Sequence, residues 1–145
     1  VVRAAWRALA AEEAPSQAAL NLVDAAVAKP LQPDLLSPEI LRIGAVAGTA
    51  AGELDVAVQK SGRTTGYSTG IILIQHVVLR VDYGDAGVCL FTDQLVSDIL
   101  SGPGDSGSLV LDMQNRAVGL LFAGGDNITV INPIADVTEQ LDVVF

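Results

Sequence analysis

Histidine and cysteine are almost absent from this sequence, which contains one of each, His76 and Cys89. A single cysteine excludes an internal disulfide, so packing alone must stabilise the fold. No cluster of side chains has the spacing of metal ligands, and we therefore expect neither a metal nor another cofactor.

Positive charge is also scarce. Eight lysine and arginine residues face 17 aspartate and glutamate residues, which gives a net charge of −9. Such a chain repels phosphate backbones and anionic lipid headgroups, so we expect no nucleic-acid and no membrane partner. No apolar run approaches the roughly 18 residues that a membrane span needs. These absences favour a soluble chain, in the cytoplasm rather than secreted, while leaving the compartment open.

The first third of the chain is rich in alanine and proline. Residues 1–20 are expected to form a short N-terminal helix, because apolar residues recur there at helical spacing. These residues are Val2, Trp6 and Leu9. Prolines interrupt residues 21–50, which are typical of a linker, and residues 37–43 predict at most a brief helical turn within it.

Residues 51–145 consist of short β-branched and aliphatic runs separated by glycine-rich turns, the pattern of an antiparallel all-β unit. The predicted strands are residues 56–60, 69–82, 87–95, 107–111, 117–123 and 128–132. Six short strands suit a small closed barrel, which leaves no exposed sheet edge. After the last strand, Asn132 can cap and Pro133 can begin a C-terminal helix.

The segment 102–108, with the sequence GPGDSGS, is the most informative part of the chain. One interpretation is a polar glycine turn between two strands. The other is a nucleophile loop, in which flanking glycines let the backbone fold tightly and project the Ser106 hydroxyl outward. In that interpretation Ser106 attacks a carbonyl carbon, and the N–H groups of Gly104 and Ser106 form an oxyanion hole. A strand rather than a helix follows, which excludes the lipase type of nucleophile elbow.

This segment, together with the apolar hairpin that ends in residues 117–124, resembles the trypsin-like serine proteases of the chymotrypsin fold, the PA clan. Residues 60–67, KSGRTTGY, are similar to a loop at the start of the second barrel in the α-lytic protease and streptogrisin group. Residues 91–93 and 132–134 look like those of uncharacterised bacterial and plant trypsin-like proteins. The resemblance covers roughly residues 22–141.

The resemblance implies a six-stranded antiparallel Greek-key barrel, the second barrel of the trypsin-like fold, in residues 51–145. Residues 21–50 become the linker between two barrels. On that linker Asp24 matches the family's triad aspartate, which would accept the second N–H of the catalytic imidazole. The alternative is an aspartate that caps a short helix.

Asp105 stands beside the nucleophile in a loop that is expected to be shielded from water, so it should have a cationic partner, because an unpaired buried carboxylate is costly. Lys60 falls at the position of the family's arginine, Arg63 is the alternative, and solvent exposure of all three remains a third possibility. The residues expected at the substrate pocket are Leu100, Ala123, Gly124 and Gly125. An apolar Leu100 at the pocket base argues against a preference for arginine or lysine and favours apolar side chains.

The missing base is the main difficulty, because a serine hydroxyl is a poor nucleophile until a base removes its proton. The family's histidine precedes the aspartate, whereas His76 follows Asp24 and is expected on a strand face. We therefore predict a serine endopeptidase present as a fragment without its first barrel and histidine, nearly inactive alone. The alternative is a non-catalytic, protease-like binding or assembly module. Expected partners are a peptide or protein substrate and either the missing barrel or another chain, with oligomers favoured over an isolated monomer.

Overall fold

The computed structural model describes residues 20–125 and 127–144. The expected N-terminal helix in residues 1–20 lies almost wholly outside this range. The elements in chain order are β1 (Leu20–Asn21), β2 (Glu39–Ile40), β3 (Gly44–Ala45), β4 (Ala57–Gly62), β5 (Gly66–Asp82), β6 (Val88–Ser97), β7 (Leu109–Asp112), β8 (Ala117–Gly124), β9 (Thr129–Pro133) and α1 (Ile134–Leu141). Short 3₁₀ turns occupy Pro33–Leu35 and Gly84–Ala86.

Six of these strands close into a cylinder. The hydrogen-bonded order is β6-β5-β4-β7-β8-β9, and β9 pairs back onto β6. Every one of these pairings is antiparallel. Because β7 returns to lie beside β4 after the meander β4-β5-β6, the topology is a Greek key. The predicted all-β barrel is confirmed, and each predicted strand lies within about three residues of its observed position.

Alternation of apolar residues along these strands fills the barrel. A buried cluster inside it consists of Val58, Ile72, Leu95, Ile99, Val110, Val118, Leu121 and Ile131. A second cluster holds the paired rings of Phe91 and Phe122, whose centroids are 5.0 Å apart. The two clusters give the loops at the barrel ends a rigid base.

The C-terminal helix is confirmed, and it docks on the outside of the barrel through Ile134 and Val137. Val23 and Ala25 of the linker pack on the same cluster. Asn132 does not cap this helix, so that prediction was wrong. Its side chain bonds the backbone of Asp24 instead, which leaves Pro133 at the cap position without a side-chain cap.

The helical turn expected in residues 37–43 was also wrong. Glu39–Ile40 and Gly44–Ala45 pair as a very short antiparallel hairpin, and the turn between them is closed by a hydrogen bond from the N–H of Ile43 to the carbonyl of Ile40 at 3.0 Å. Arg42 and Gly44 have φ angles of 68° and 102°, which continue a turn rather than a right-handed helix. None of the helices in the described ranges is both long and apolar enough to cross a membrane.

Candidate active site

The nucleophile loop joins β6 to β7. It folds back on itself through hydrogen bonds from the N–H of Asp105 to the carbonyl of Gly102 at 3.0 Å and from the N–H of Ser108 to the carbonyl of Asp105 at 2.9 Å. Gly104 and Gly107 have φ angles of 103° and 87°, a region in which a side chain is strained. Both glycines are therefore required by the tight backbone path.

Ser106 lies at the exposed tip of this loop. Its Oγ is 3.5 Å from the carbonyl oxygen of Phe122 on β8, a long contact that hardly restrains the hydroxyl. Among the described residues, no acceptor takes a hydrogen bond from the N–H of Gly104 or of Ser106. The loop thus combines an outward hydroxyl with two uncommitted backbone donors.

The carboxylate between these residues points inward. Asp105 is completely buried, and Lys60 Nζ lies 3.3 Å from its Oδ2. The N–H groups of Thr64 and Thr65 donate to Oδ1 at 2.7 and 3.2 Å, and the Thr65 hydroxyl and the N–H of Gly102 donate to Oδ2 at 2.6 and 3.1 Å. The structure therefore brings Asp105 and Lys60 together beneath the nucleophile.

Hydrogen bonding decides the charge state of Asp105. Burial alone would raise the pKa of its carboxyl, but the hydrogen bonds from the Thr65 hydroxyl and from the backbone of Thr64, Thr65 and Gly102 outweigh it and lower the pKa to about 2. A carboxylate that accepts this many donors keeps its charge even without solvent. The loop is thus anchored by an ionised group.

Lys60 is also completely buried, and its ammonium further contacts Thr65 Oγ1 at 2.5 Å and the carbonyl of Gly66 at 3.3 Å. The backbone of β4 comes very close to the pair, because a Cβ added to Gly62 would lie 2.4 Å from Asp105 Oδ1. The alternative partner, Arg63, is exposed beside Gly104 and does not contact Asp105. Sequence reasoning missed Thr64 and Thr65 as hydrogen-bond donors to Asp105. The available signal was their position in KSGRTTG, close to the lysine that pairs with this carboxylate.

Asp24 lies in an irregular part of the linker, and no helix begins near it, so the helix-cap interpretation is excluded. Asn132 clamps its backbone: the N–H of Asp24 donates to Oδ1 and the carbonyl accepts from Nδ2, both at 3.1 Å. The Tyr83 hydroxyl donates to the exposed carboxylate, and no hydrogen bond joins Asp24 to Ser106. Burial, then this bond and the charge of Asp24, raise the pKa of the Tyr83 hydroxyl. Sequence reasoning missed both Asn132 and Tyr83 as residues that position Asp24.

His76 lies on β5, 78% exposed, and its Nδ1 contacts Asp93 Oδ1 on β6. Both residues have left-handed φ angles, 53° and 63°, in a stretch where the pairing of β5 with β6 shifts register. The histidine borders a separate cavity of about 510 Å³ with Gly52, Val118 and other residues, none of which belongs to the nucleophile loop. His76 is therefore a strand-face histidine apart from Ser106.

The residues expected at the substrate pocket lie next to the loop. β8 pairs with β7 only as far as Leu120, and within the described ranges no strand pairs with its edge at 122–124 on that side. Ala123 and Gly124 belong to this edge, and Gly125 follows it in a turn. Leu100 does not form a buried base, because its side chain is 62% exposed while its carbonyl accepts a hydrogen bond from Ser68.

Three-dimensional likeness defines the class of fold. The described chain has the fold of the chymotrypsin-like serine proteases, including the bacterial α-lytic and streptogrisin type, and this likeness covers about two thirds of it. The resemblance inferred from the sequence is thereby confirmed. No protein-family model and no curated protein sequence matches the chain.

Particular solved structures make the likeness concrete. The chymotrypsin of Cellulomonas bogoriensis is 27% identical, with a TM-score of 0.56 over 66% of this chain and 52% of that protein. Protease A of Thermobifida fusca is 24% identical, with a TM-score of 0.59 over 70% and 55%. An α-lytic protease homologue is 20% identical, with a TM-score of 0.50 over 66% and 50%. The chain spans about half the length of these proteases.

Proposed function

We propose that this chain supplies the nucleophile and the oxyanion hole of a serine endopeptidase. The observation that carries the proposal is the exposed Ser106 on a loop anchored by the buried Asp105, with the N–H groups of Gly104 and Ser106 uncommitted. Donors that are already in place where negative charge develops stabilise a transition state without reorganising.

In this mechanism Ser106 Oγ attacks the carbonyl carbon of a peptide bond while a base takes its proton. The oxygen of the tetrahedral intermediate accepts hydrogen bonds from Gly104 and Ser106, the base returns the proton to the leaving amine, and water then hydrolyses the acyl-enzyme. The free edge at residues 122–124 would pair with the extended substrate. Ala123, Gly124 and Gly125 would thus contact its backbone, and Leu100 would lie at the rim.

The base must come from elsewhere, because the single histidine of the 145 residues is engaged with Asp93 away from the loop. We propose that a histidine from a further barrel of the same protein, or from another chain, approaches Asp24, which would orient it. Exposed apolar side chains along the linker and at the residue just before it are consistent with a covering partner. They are Leu20, Leu22, Val27, Leu31, Leu35, Leu36 and Leu41.

The domain organisation proposed with this scheme has three parts. They are an N-terminal helical segment in residues 1–20, the interbarrel linker in residues 21–50 and the barrel with the nucleophile in residues 51–145. Without a base, only the oxyanion hole and substrate binding assist the reaction, and the rate falls by several orders of magnitude. The chain alone is therefore expected to be nearly inactive.

The second candidate is a binding or assembly module that retains the barrel without catalysis. The observation that favours it is the same engagement of His76 by Asp93, which leaves Ser106 without a base within the described residues.

Organophosphonate labelling of the complete natural protein separates the two candidates. An endopeptidase should give one adduct by mass spectrometry, located on Ser106 and lost in Ser106→Ala, because only an activated serine reacts. A protein that stays unlabelled while a known serine protease in the same tube is modified would be the binding module.

A further inference from the structure

The cavity beside His76 has the size and the lining of a site for a small molecule. Its volume is about 510 Å³, and sites for small molecules occupy roughly 300–1,000 Å³ and combine an apolar floor with a few polar groups. The side chains of His76 and Asp93 reach the surface at its mouth. The buried side chains of its lining are apolar and form the floor, namely Leu95, Val118 and Ile134.

The hydrogen bonds at this mouth leave acceptors for a ligand. A carboxylate only accepts, so Nδ1 of His76 holds the hydrogen of its contact with Asp93 Oδ1. The hydroxyl of Thr138, another lining residue, donates its only hydrogen to the carbonyl of Ala135 at 2.9 Å. Within the described residues, neither Oδ2 of Asp93 nor Oγ1 of Thr138 accepts a hydrogen bond. These two oxygens therefore offer lone pairs to whatever enters the cavity.

The charge around the cavity is negative. Oδ2 of Asp136, in the first turn of α1, is buried and accepts no hydrogen bond from the described part of the chain. Burial, then the charges of Asp93 and Glu139, raise the pKa of the Asp136 carboxyl, so the three acidic groups sense one another. Among the described residues, neither lysine nor arginine lines the cavity. A cation that enters it is therefore attracted by the surrounding carboxylates.

We infer that this cavity binds a small aliphatic amine, whose alkyl chain covers the apolar floor and whose ammonium group donates to Asp93 and Thr138. An ammonium carries a positive charge and three hydrogen-bond donors without an acceptor, which matches the two free oxygens. The alkyl chain loses its contact with water on the side chains of Leu95, Val118 and Ile134. No residue of the nucleophile loop lines the cavity, so this inference goes beyond the proposed function and does not depend on it.

Other classes of ligand fit the cavity less well. A carboxylate would be repelled by Asp93, and an alcohol of the same length brings one donor and no charge. A wholly apolar molecule would cover the free oxygens of Asp93 and Thr138 without pairing them, which is costly. Only a cationic donor with an apolar body satisfies both the mouth and the floor.

The test is an NMR titration of the complete natural protein at pH 8 with hexylamine, hexanol and hexanoate, which share a chain length and differ in the polar group. We expect hexylamine to bind with a Kd of about 1 mM, the scale for a ligand of so few atoms, and to shift the amide signals of residues 49–52 and 134–138. Hexanol should bind at least about fivefold more weakly, and hexanoate should not bind.

Asp93→Asn is the decisive variant, because asparagine also tolerates a left-handed φ angle and keeps the shape of the side chain. It should weaken hexylamine binding by about tenfold and change hexanol binding by less than about twofold. Ala51→Phe, at an exposed residue of the lining, should abolish binding of both by filling the cavity.

Two variants serve as matched controls. Asp85→Asn removes the same charge from the 3₁₀ turn Gly84–Ala86, outside the lining, and Ser106→Ala alters only the candidate active site. Both should bind hexylamine within about twofold of the wild type. Equal binding of hexylamine and hexanoate, no binding of hexylamine, or shifts confined to residues 102–108 would overturn the inference. A lysine peptide with blocked ends that binds more tightly than hexylamine would assign the cavity to a protein partner instead.

Discussion

Two of the three ion pairs within the described residues lie in opposite surroundings. Lys60 and Asp105 are both completely buried beneath the nucleophile loop, whereas His76 and Asp93 are 78% and 43% exposed on the outside of the barrel. A buried charge that loses its partner is strongly destabilising, while an exposed pair is screened by water and contributes little. The histidine–aspartate pair, a combination found in catalytic triads, thus lies on the surface. The buried pair of Lys60 and Asp105 is the one that anchors the nucleophile loop.

The largest expected effect comes from breaking the buried pair. Lys60→Met leaves the Asp105 carboxylate without its cation, and the free energy of unfolding should fall by about 3–5 kcal/mol in urea denaturation. Arg63→Met is the matched control, because Arg63 is exposed and does not contact Asp105. A Lys60→Met protein within about 1 kcal/mol of the wild type would contradict the anchoring role of the pair.

Crowding the same pair should have a smaller effect. In Gly62→Ala the new Cβ would lie 2.4 Å from Asp105 Oδ1, and we expect a loss of about 3 kcal/mol, the upper end for overpacking. Gly102→Ala is the control, because its Cβ would meet nothing closer than 3.6 Å. Equal unfolding midpoints for the two variants would mean that β4 does not approach the carboxylate as closely as described.

Acid should selectively weaken the buried pair of Lys60 and Asp105. The pKa of Asp105 is about 2 in the folded protein against an ordinary 3.8, so its stabilisation is fully present above pH 4 and is lost as the pH falls towards 2. The difference corresponds to about 2 kcal/mol. Urea unfolding at pH 5 and pH 2 measures the loss, and Asp105→Asn should show a smaller one. An equally steep loss in that variant would assign the effect to other groups, such as Asp112.

The exposed pair should matter least. His76→Asn keeps a residue that tolerates a left-handed φ angle and removes the imidazole, and the free energy of unfolding should change by less than about 1 kcal/mol. If labelling of Ser106 in the complete protein were lost in this variant, His76 would have to be the base after all.

The barrel could be predicted from the sequence because its signals are local. Alternating apolar residues and glycine turns delimit each strand, and the segment 102–108 indicates a tight loop around Ser106. The pairing of Lys60 with Asp105, 45 residues apart, came instead from the family resemblance. Without the resemblance, Arg63 was an equal candidate for the cation that pairs with Asp105.

What the sequence could not reveal depends on contacts between distant residues. Asn132 is a good helix cap when only its neighbours in the sequence are considered. In the fold, however, its buried side-chain amide both donates to and accepts from the backbone of Asp24, 108 residues away. Residues 47–50 bond to the backbone of Asn115 and Ala117, which holds the preceding segment in extended hairpin form rather than in a helical turn. Local propensity is too weak to compete with such bonds.

The most direct test of the account is the rate at which an organophosphonate modifies Ser106 in three forms of the complete natural protein under conditions in which all are folded. The account predicts that Lys60→Met, which releases the nucleophile loop, slows labelling by at least about a hundredfold, the scale of a lost oxyanion donor. His76→Asn should label within about twofold of the wild type. Unchanged labelling in Lys60→Met, with labelling lost in His76→Asn, would contradict it.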